Sequence, residues 1–161
     1  MNKWGKIAIG AGILLGGGYL FRMSRTKANL EFEVNSKILS LKLSGITIRV
    51  DAKIKNPSDV SLKIKYPFMK IIYKGETLGS SQAIDKDITI PAFGEANVEG
   101  IIINIPLSGI FSIGMDLLKS LKTKEGVKVI VKVITTVYTT FSSIPYESEI
   151  EQVLKNDGSK A

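Results

Sequence analysis

Residues 46–57 read ITIRVDAKIKNP, and this stretch decides the fold class. Ile46, Ile48, Val50, Ala52 and Ile54 alternate with Thr47, Arg49, Asp51, Lys53 and Lys55. Strict alternation over ten residues is the pattern of a strand buried on one face and wet on the other. Asn56-Pro57-Ser58 ends it. Pro57 has no N–H for a ladder and pushes Asn56 into extended geometry, while the Asn side chain is suited to bonding the turn backbone.

The same period of two extends outward in both directions. Upstream, Leu30, Phe32 and Val34 alternate with polar residues, and Leu39, Leu41 and Leu43 alternate with Ser40 and Lys42. Downstream come Val60, Leu62 and Ile64, a strand from Phe68 to Tyr73, and the turn Lys74-Gly75-Glu76 into Thr77-Leu78-Gly79. Ile84, Ile88 and Ile90 lead to a second turn, Pro91-Ala92-Phe93-Gly94-Glu95, and Val98 to Ile105 is a strongly apolar strand. Leu107, Ile110, Phe111, Gly114, Leu117, Leu118 and Leu121 instead follow three-and-four spacing, predicting one amphipathic helix between Pro106 and Gly126 with a core-facing stripe. Val127 to Phe141 returns to β, and Ile144-Pro145-Tyr146 opens a last strand. The order is that of a mainly β domain, an antiparallel β-sandwich with one helix, not βαβ crossovers.

The chain of 161 residues carries a formal net charge of +7 and contains neither His nor Cys. The missing residues exclude disulfides, thiol or imidazole catalysis and His/Cys zinc sites. The charge is uneven. Lys3, Lys6, Arg22, Arg25 and Lys27 put +5 on residues 1–27, leaving +2 for the remainder. A nucleic-acid binder concentrates basic charge on its folded domain, so nucleic acid is not expected as a partner.

The basic residues of 1–27 flank an uncharged run, Ile7 to Phe21 (IAIGAGILLGGGYLF). As a helix it spans about 22 Å, which snorkelling of Lys6 and Arg22 extends toward the bilayer core thickness. Ala8, Gly12 and Gly16 lie four apart and form a small-residue face for helix packing. No A-x-A-like cleavage site follows, so an N-terminal hydrophobic helix serving as an anchor in membrane lipid is preferred over a cleaved signal. A glycine-rich helix buried in a protein assembly is the competing reading. The division expected is an anchor segment 1–27, a sandwich domain 28–155 and a polar tail 156–161.

Between Ile46 and Tyr146 the order of signals resembles the type 2 late embryogenesis abundant family, also called the water-stress and hypersensitive-response (WHy) domain. The strings that carry it are IRVDAKIKNPSDVSLKI, FMKIIYKGETLGSS, ITIPAFGEANVEGIIINIP and LSGIFSIGMDLLKSL, closed by Ile144-Pro145-Tyr146. Asn56, Pro57, Gly75, Gly79, Pro91, Gly94 and Pro145 are the motif positions, read as structural turns. The resemblance implies a fibronectin-III/immunoglobulin-like sandwich, a role in stress tolerance, no enzyme activity and no cofactor.

Two acidic groupings bear on chemistry. Asp85 and Asp87, with Asp51 or Asp59, carry hard-cation ligands but lack calcium-loop spacing, so no metal is expected. Glu147, Glu149 and Glu151 share one strand face, where neighbouring lysines favour a solvated surface over paired catalytic carboxylates. No P-loop or nucleophile elbow is present, and no small-molecule substrate is defined. Three functions follow: a membrane-anchored stress-protective domain; a homo-oligomer or larger structural assembly such as a phage virion or tail; and a lipid-binding module.

Overall fold

The computed structural model describes residues 30–111 and 115–156. The expected anchor 7–21, with Ala8, Gly12 and Gly16, lies outside these residues, as do Gly114 and residues 157–161 of the tail. Nine strands are present among the described residues: β1 (Glu31–Lys42), β2 (Gly45–Lys55), β3 (Leu62–Lys65), β4 (Phe68–Tyr73), β5 (Glu76–Ser80), β6 (Asp87–Ile90), β7 (Glu95–Pro106), β8 (Val127–Tyr138) and β9 (Ser143–Leu154). Two short helices, α1 (Leu107–Phe111) and α2 (Asp116–Leu121), separate β7 from β8.

All strand pairs among the described residues are antiparallel, so the mainly antiparallel β class is observed. Hydrogen bonding runs as one connected path, β1-β2-β7-β5-β4-β8-β3-β6, with β9 on the other side of β8. The link between β7 and β5 is a single rung, Ser80 opposite Asn104. β4 and β3 take successive stretches of the same edge of β8, with Phe68 opposite Ile134 and Ile64 opposite Val137. β1, at one end of the path, meets β9 by side chains. Tyr146 stacks on Phe32 at 5.4 Å between centroids, and its hydroxyl donates to the Leu30 carbonyl at 2.8 Å.

β2 behaves as its alternation requires: Ile46, Ile48, Val50, Ala52 and Ile54 are buried, and the residues between them are partly exposed. Its neighbours β1 and β7 contribute Phe32, Val34, Ile38, Val98, Ile101, Ile103 and Ile105 to the same core. β8 adds Val129, Val131, Val133 and Val137 to that core. β-branched side chains suit such pleated surfaces because strands leave their χ1 rotamers undisturbed.

Four expectations are corrected. The single amphipathic helix is replaced by the segments α1 and α2, which bury Ile110, Leu117 and Leu121, while Phe111 is exposed. Leu43 is 92% exposed at the β1–β2 hairpin, because a register shift between Ile38 and Ser40 and the turn carry it off the core face. Gly79 lies inside β5 and Pro145 inside β9, not in turns. β8 ends at Tyr138, three residues short of Phe141, where a Thr139–Ser142 turn starts the last hairpin.

Candidate functional site

The β2 terminus builds the most concentrated polar site among the described residues. Asn56 is 1% exposed, and its amide is committed in full. The two Nδ2 hydrogens serve three carbonyls, Val60 at 2.8 Å, Pro91 at 3.0 Å and Ile90 at 3.3 Å. Oδ1 accepts from the Ser58 N–H at 3.0 Å and its hydroxyl at 2.6 Å, an Asx turn across Pro57. The main chain joins in: Asn56 N–H donates to Gly94 O at 2.9 Å and Phe93 N–H to Ser58 O at 3.0 Å. One buried amide therefore ties the β2–β3 loop to the β6–β7 turn. The same connection places Pro91 and Gly94, whose N–H closes on the Pro91 carbonyl at 2.9 Å.

Sequence pattern marks Asn56 as a turn residue but is silent on Phe93. That side chain is 73% exposed, on a backbone held at φ 54°. A left-handed aromatic residue is uncommon and costs conformational energy, so the surrounding bonds must hold it there.

The motif glycines divide. Gly75 takes φ 81° at the β4–β5 turn with open space around its α-carbon, whereas Gly79 is extended and a Cβ there would stand 2.5 Å from the Asn104 carbonyl oxygen. Gly75 thus supplies a turn conformation, and Gly79 the close approach of β5 to β7 at their one rung. Gly100, at φ 75°, sits beside the register shift between Val50 and Ala52, where its N–H donates to Asp51 at 2.7 Å. An isolated glycine inside an apolar strand is the sequence signal for that bulge.

Asp51, Asp85, Asp87, Glu147, Glu149 and Glu151 are drawn into ion pairs. Asp85 and Asp87 share Lys65, and Asp87 also meets Lys63 at 3.3 Å. The Lys65 ammonium lowers the Asp85 pKa, chiefly through their hydrogen bond. Asp51 pairs with Arg49 at 2.9 Å beside Gly100, apart from that cluster. Glu147 and Glu149 lie 2.8 and 3.9 Å from Lys132, and Glu151 lies 3.5 Å from Lys128, as β8–β9 register dictates. Among the described residues no group of three acids is placed to hold a metal ion. A surface cleft of about 250 Å³, with Tyr66, Ser81, Gln82, Ile84 and Asn104 in its lining, mixes polar and apolar walls.

The second half of β2 from Asp51, the Asn-Pro turn and the first half of the closing strand fall within a sequence match to the late embryogenesis abundant protein family, spanning residues 51–149. The chain belongs to that family. No curated protein sequence matches it. Among solved structures, it resembles the X-ray structure of structural-genomics target SoR45, with TM-score 0.50 and 13% identity over 82% of this chain and 90% of that one. The solution structure of At2g46140.1, whose name assigns it to late embryogenesis abundant proteins, gives TM-score 0.47 and 15% identity over 95% and 87%. A protein from Archaeoglobus fulgidus gives 0.46 and 15% over 79% and 98%. At 13% identity the likeness to SoR45 concerns the fold alone.

Proposed function

We propose that this member of the late embryogenesis abundant family is a non-enzymatic domain of the type 2 (WHy) kind, tethered to a membrane and protective under stress through surface contact. Family membership over residues 51–149 carries the reading. The tether rests on the uncharged run Ile7–Phe21 between Lys6 and Arg22. Among the described residues no helix is long and apolar enough to cross a membrane, which leaves the tether to that run. The acids paired with lysines support a solvated surface in place of a reaction centre. We read the fold as a fibronectin-III-like two-layer sandwich, with β1, β2 and β7 facing β9, β8, β4 and β3 across the shared core.

Flotation of the full chain with phosphatidylcholine vesicles tests the tether. The native chain should float and the Leu14→Lys chain should not; a native chain that stays at the bottom of the gradient overturns it. Protection is measured as retention of a trapped dye through drying and rehydration. Vesicles bearing the chain should leak several-fold less than vesicles with an equal mass of an unrelated anchored domain, and equal leakage overturns the protective role.

A further inference from the structure

The strand register brings three exposed apolar side chains to one end of the sheet. β6, β3 and β8 are lateral neighbours, with Leu62 opposite Ile90 and Lys63 opposite Tyr138. Each runs out into a turn at that end, and the turns present Phe93, Val60 and Phe141, which are 73%, 60% and 96% exposed. Adjacent strands lie about 4.8 Å apart, so the three tips form a row. Phe93 is held outward on a left-handed backbone, locked by Ser58 O and the Pro91–Gly94 bond. Such a conformation is costly for an aromatic residue, and here it projects the ring into solvent.

The tip residues 58–61, 91–94 and 139–143 contain one charged side chain, Asp59, while Glu31, Lys55 and Glu95 line the cleft beside Phe93. The opposite end also exposes apolar groups, Leu43, Phe111 and Met115, but sets them among Lys42, Lys74, Glu76, Lys122, Lys124 and Glu125. Chain direction separates the two ends further. β1 begins beside Lys55, opposite Glu31, so the sequence 1–29 enters at the tip end. The nine steps of chain from Phe21 to Leu30 reach at most about 32 Å, and that bounds the distance from an anchored Phe21 to the sheet.

We propose that Val60, Phe93 and Phe141 form a lipid-contacting edge that seats the domain end-on in the headgroup layer of a phosphatidylcholine bilayer. The inference rests on the membrane tether proposed above. A row of apolar tips beside an anchor gains by leaving water, and the single Asp59 carboxylate restricts it to headgroup depth. The three tip segments carry no Lys or Arg of their own, so their contact with lipid does not depend on anionic headgroups.

The chain has no cysteine, so single fluorophores can be placed on Asp59→Cys, Thr140→Cys and, at the far end, Ser44→Cys, all exposed positions that leave the aromatic tips intact. Full-length labelled chain is floated with phosphatidylcholine vesicles containing a headgroup-proximal doxyl lipid. Quenching at positions 59 and 140 should exceed that at 44 several-fold, and Phe93→Asn with Phe141→Ser should reduce it toward the level at 44. Chain that floats with equal quenching at all three positions overturns the lipid edge and leaves the tether standing. Chain that fails to float overturns the tether itself, and the lipid edge with it.

Discussion

The two ends of the sheet are built on different plans. Where β2 stops, loops distant in sequence hold one another: Asn56 bonds the carbonyls of Val60, Ile90 and Pro91, and Phe93 bonds Ser58. At the other end the β4–β5 turn and the end of α2 close locally. The β4–β5 turn relies on Lys74 and Gly75 at positive φ, and α2 ends on its own bonds from Lys122 to Lys119 and from Thr123 to Ser120. An injury to the shared network should therefore spread, while one at the self-contained end should stay local.

The largest expected effect is at Asn56. Asn56→Ala strands buried carbonyls and the Ser58 donor together, and should cost about 3 kcal/mol of unfolding free energy in a urea titration. Hydrogen exchange should rise at both Asn56–Ser61 and Ile90–Glu95. Faster exchange in the first segment alone would mean that the two loops are not mechanically joined.

The motif glycines sharpen the contrast four residues apart. Gly79→Ala forces a Cβ against the Asn104 carbonyl at the lone β5–β7 rung, and should cost about 2 kcal/mol. Gly75→Ala meets open space, so only its backbone conformation is penalised, by about 1 kcal/mol. Asn should be better tolerated than Ala at 75 and worse at 79, because Asn accepts left-handed geometry but adds bulk. Thermal midpoints of the four variants would show this reversal, and a common ranking at both sites would refute it.

Which of these features can be read from sequence depends on how far apart their partners lie. The alternation of β2 needs only its own residues, and the structure follows it position by position. In β1 the apolar positions switch from even (Leu30, Phe32, Val34) to odd (Leu39, Leu41, Leu43), and the register shift between Ile38 and Ser40 is the structural counterpart of that switch. Leu41 packs against the core after the shift, whereas Leu43 falls in the turn. The turn role of Asn56 is local and legible, but the Ile90 and Pro91 carbonyls it serves are 34 and 35 residues away. Gly79 looks like a turn glycine until β7 is seen to approach it, and nothing in Pro-Ala-Phe-Gly announces that Phe93 is the left-handed residue.

Tyr146 closes the seam between β1 and β9, on the side of the network, and gives a smaller effect with a pH signature. Burial pushes its phenol up to about 12, against a lesser lowering by Ser148. An unfolded tyrosine ionises near 10, so this group favours the folded state in full below about pH 10, and the contribution is lost as pH rises through about 12. Tyr146→Phe removes the bond to Leu30 and should cost about 1 kcal/mol at neutral pH. The gap between native and variant should narrow above pH 10. A gap that stays constant to pH 12 would show that the phenol does not titrate with folding.

The smallest effect belongs to the other end, where Lys128 faces Glu151 at 3.5 Å with side chains 75% and 49% exposed. Two wet, flexible groups gain little by pairing, since water screens their attraction and holding both side chains in one geometry costs entropy. Lys128→Gln should change stability by less than about 0.5 kcal/mol, and the difference should vanish in 1 M salt. Nothing else is hung on this pair: β8 and β9 keep their full ladder from Val127–Leu154 to Tyr138–Ser143 whichever charges line the surface. Hydrogen exchange in the variant should accordingly match the native chain beyond the first two rungs. A loss above 1 kcal/mol that persists in salt would show that the acidic face of β9 acts as a coupled unit, and the contrast between the two ends would fail.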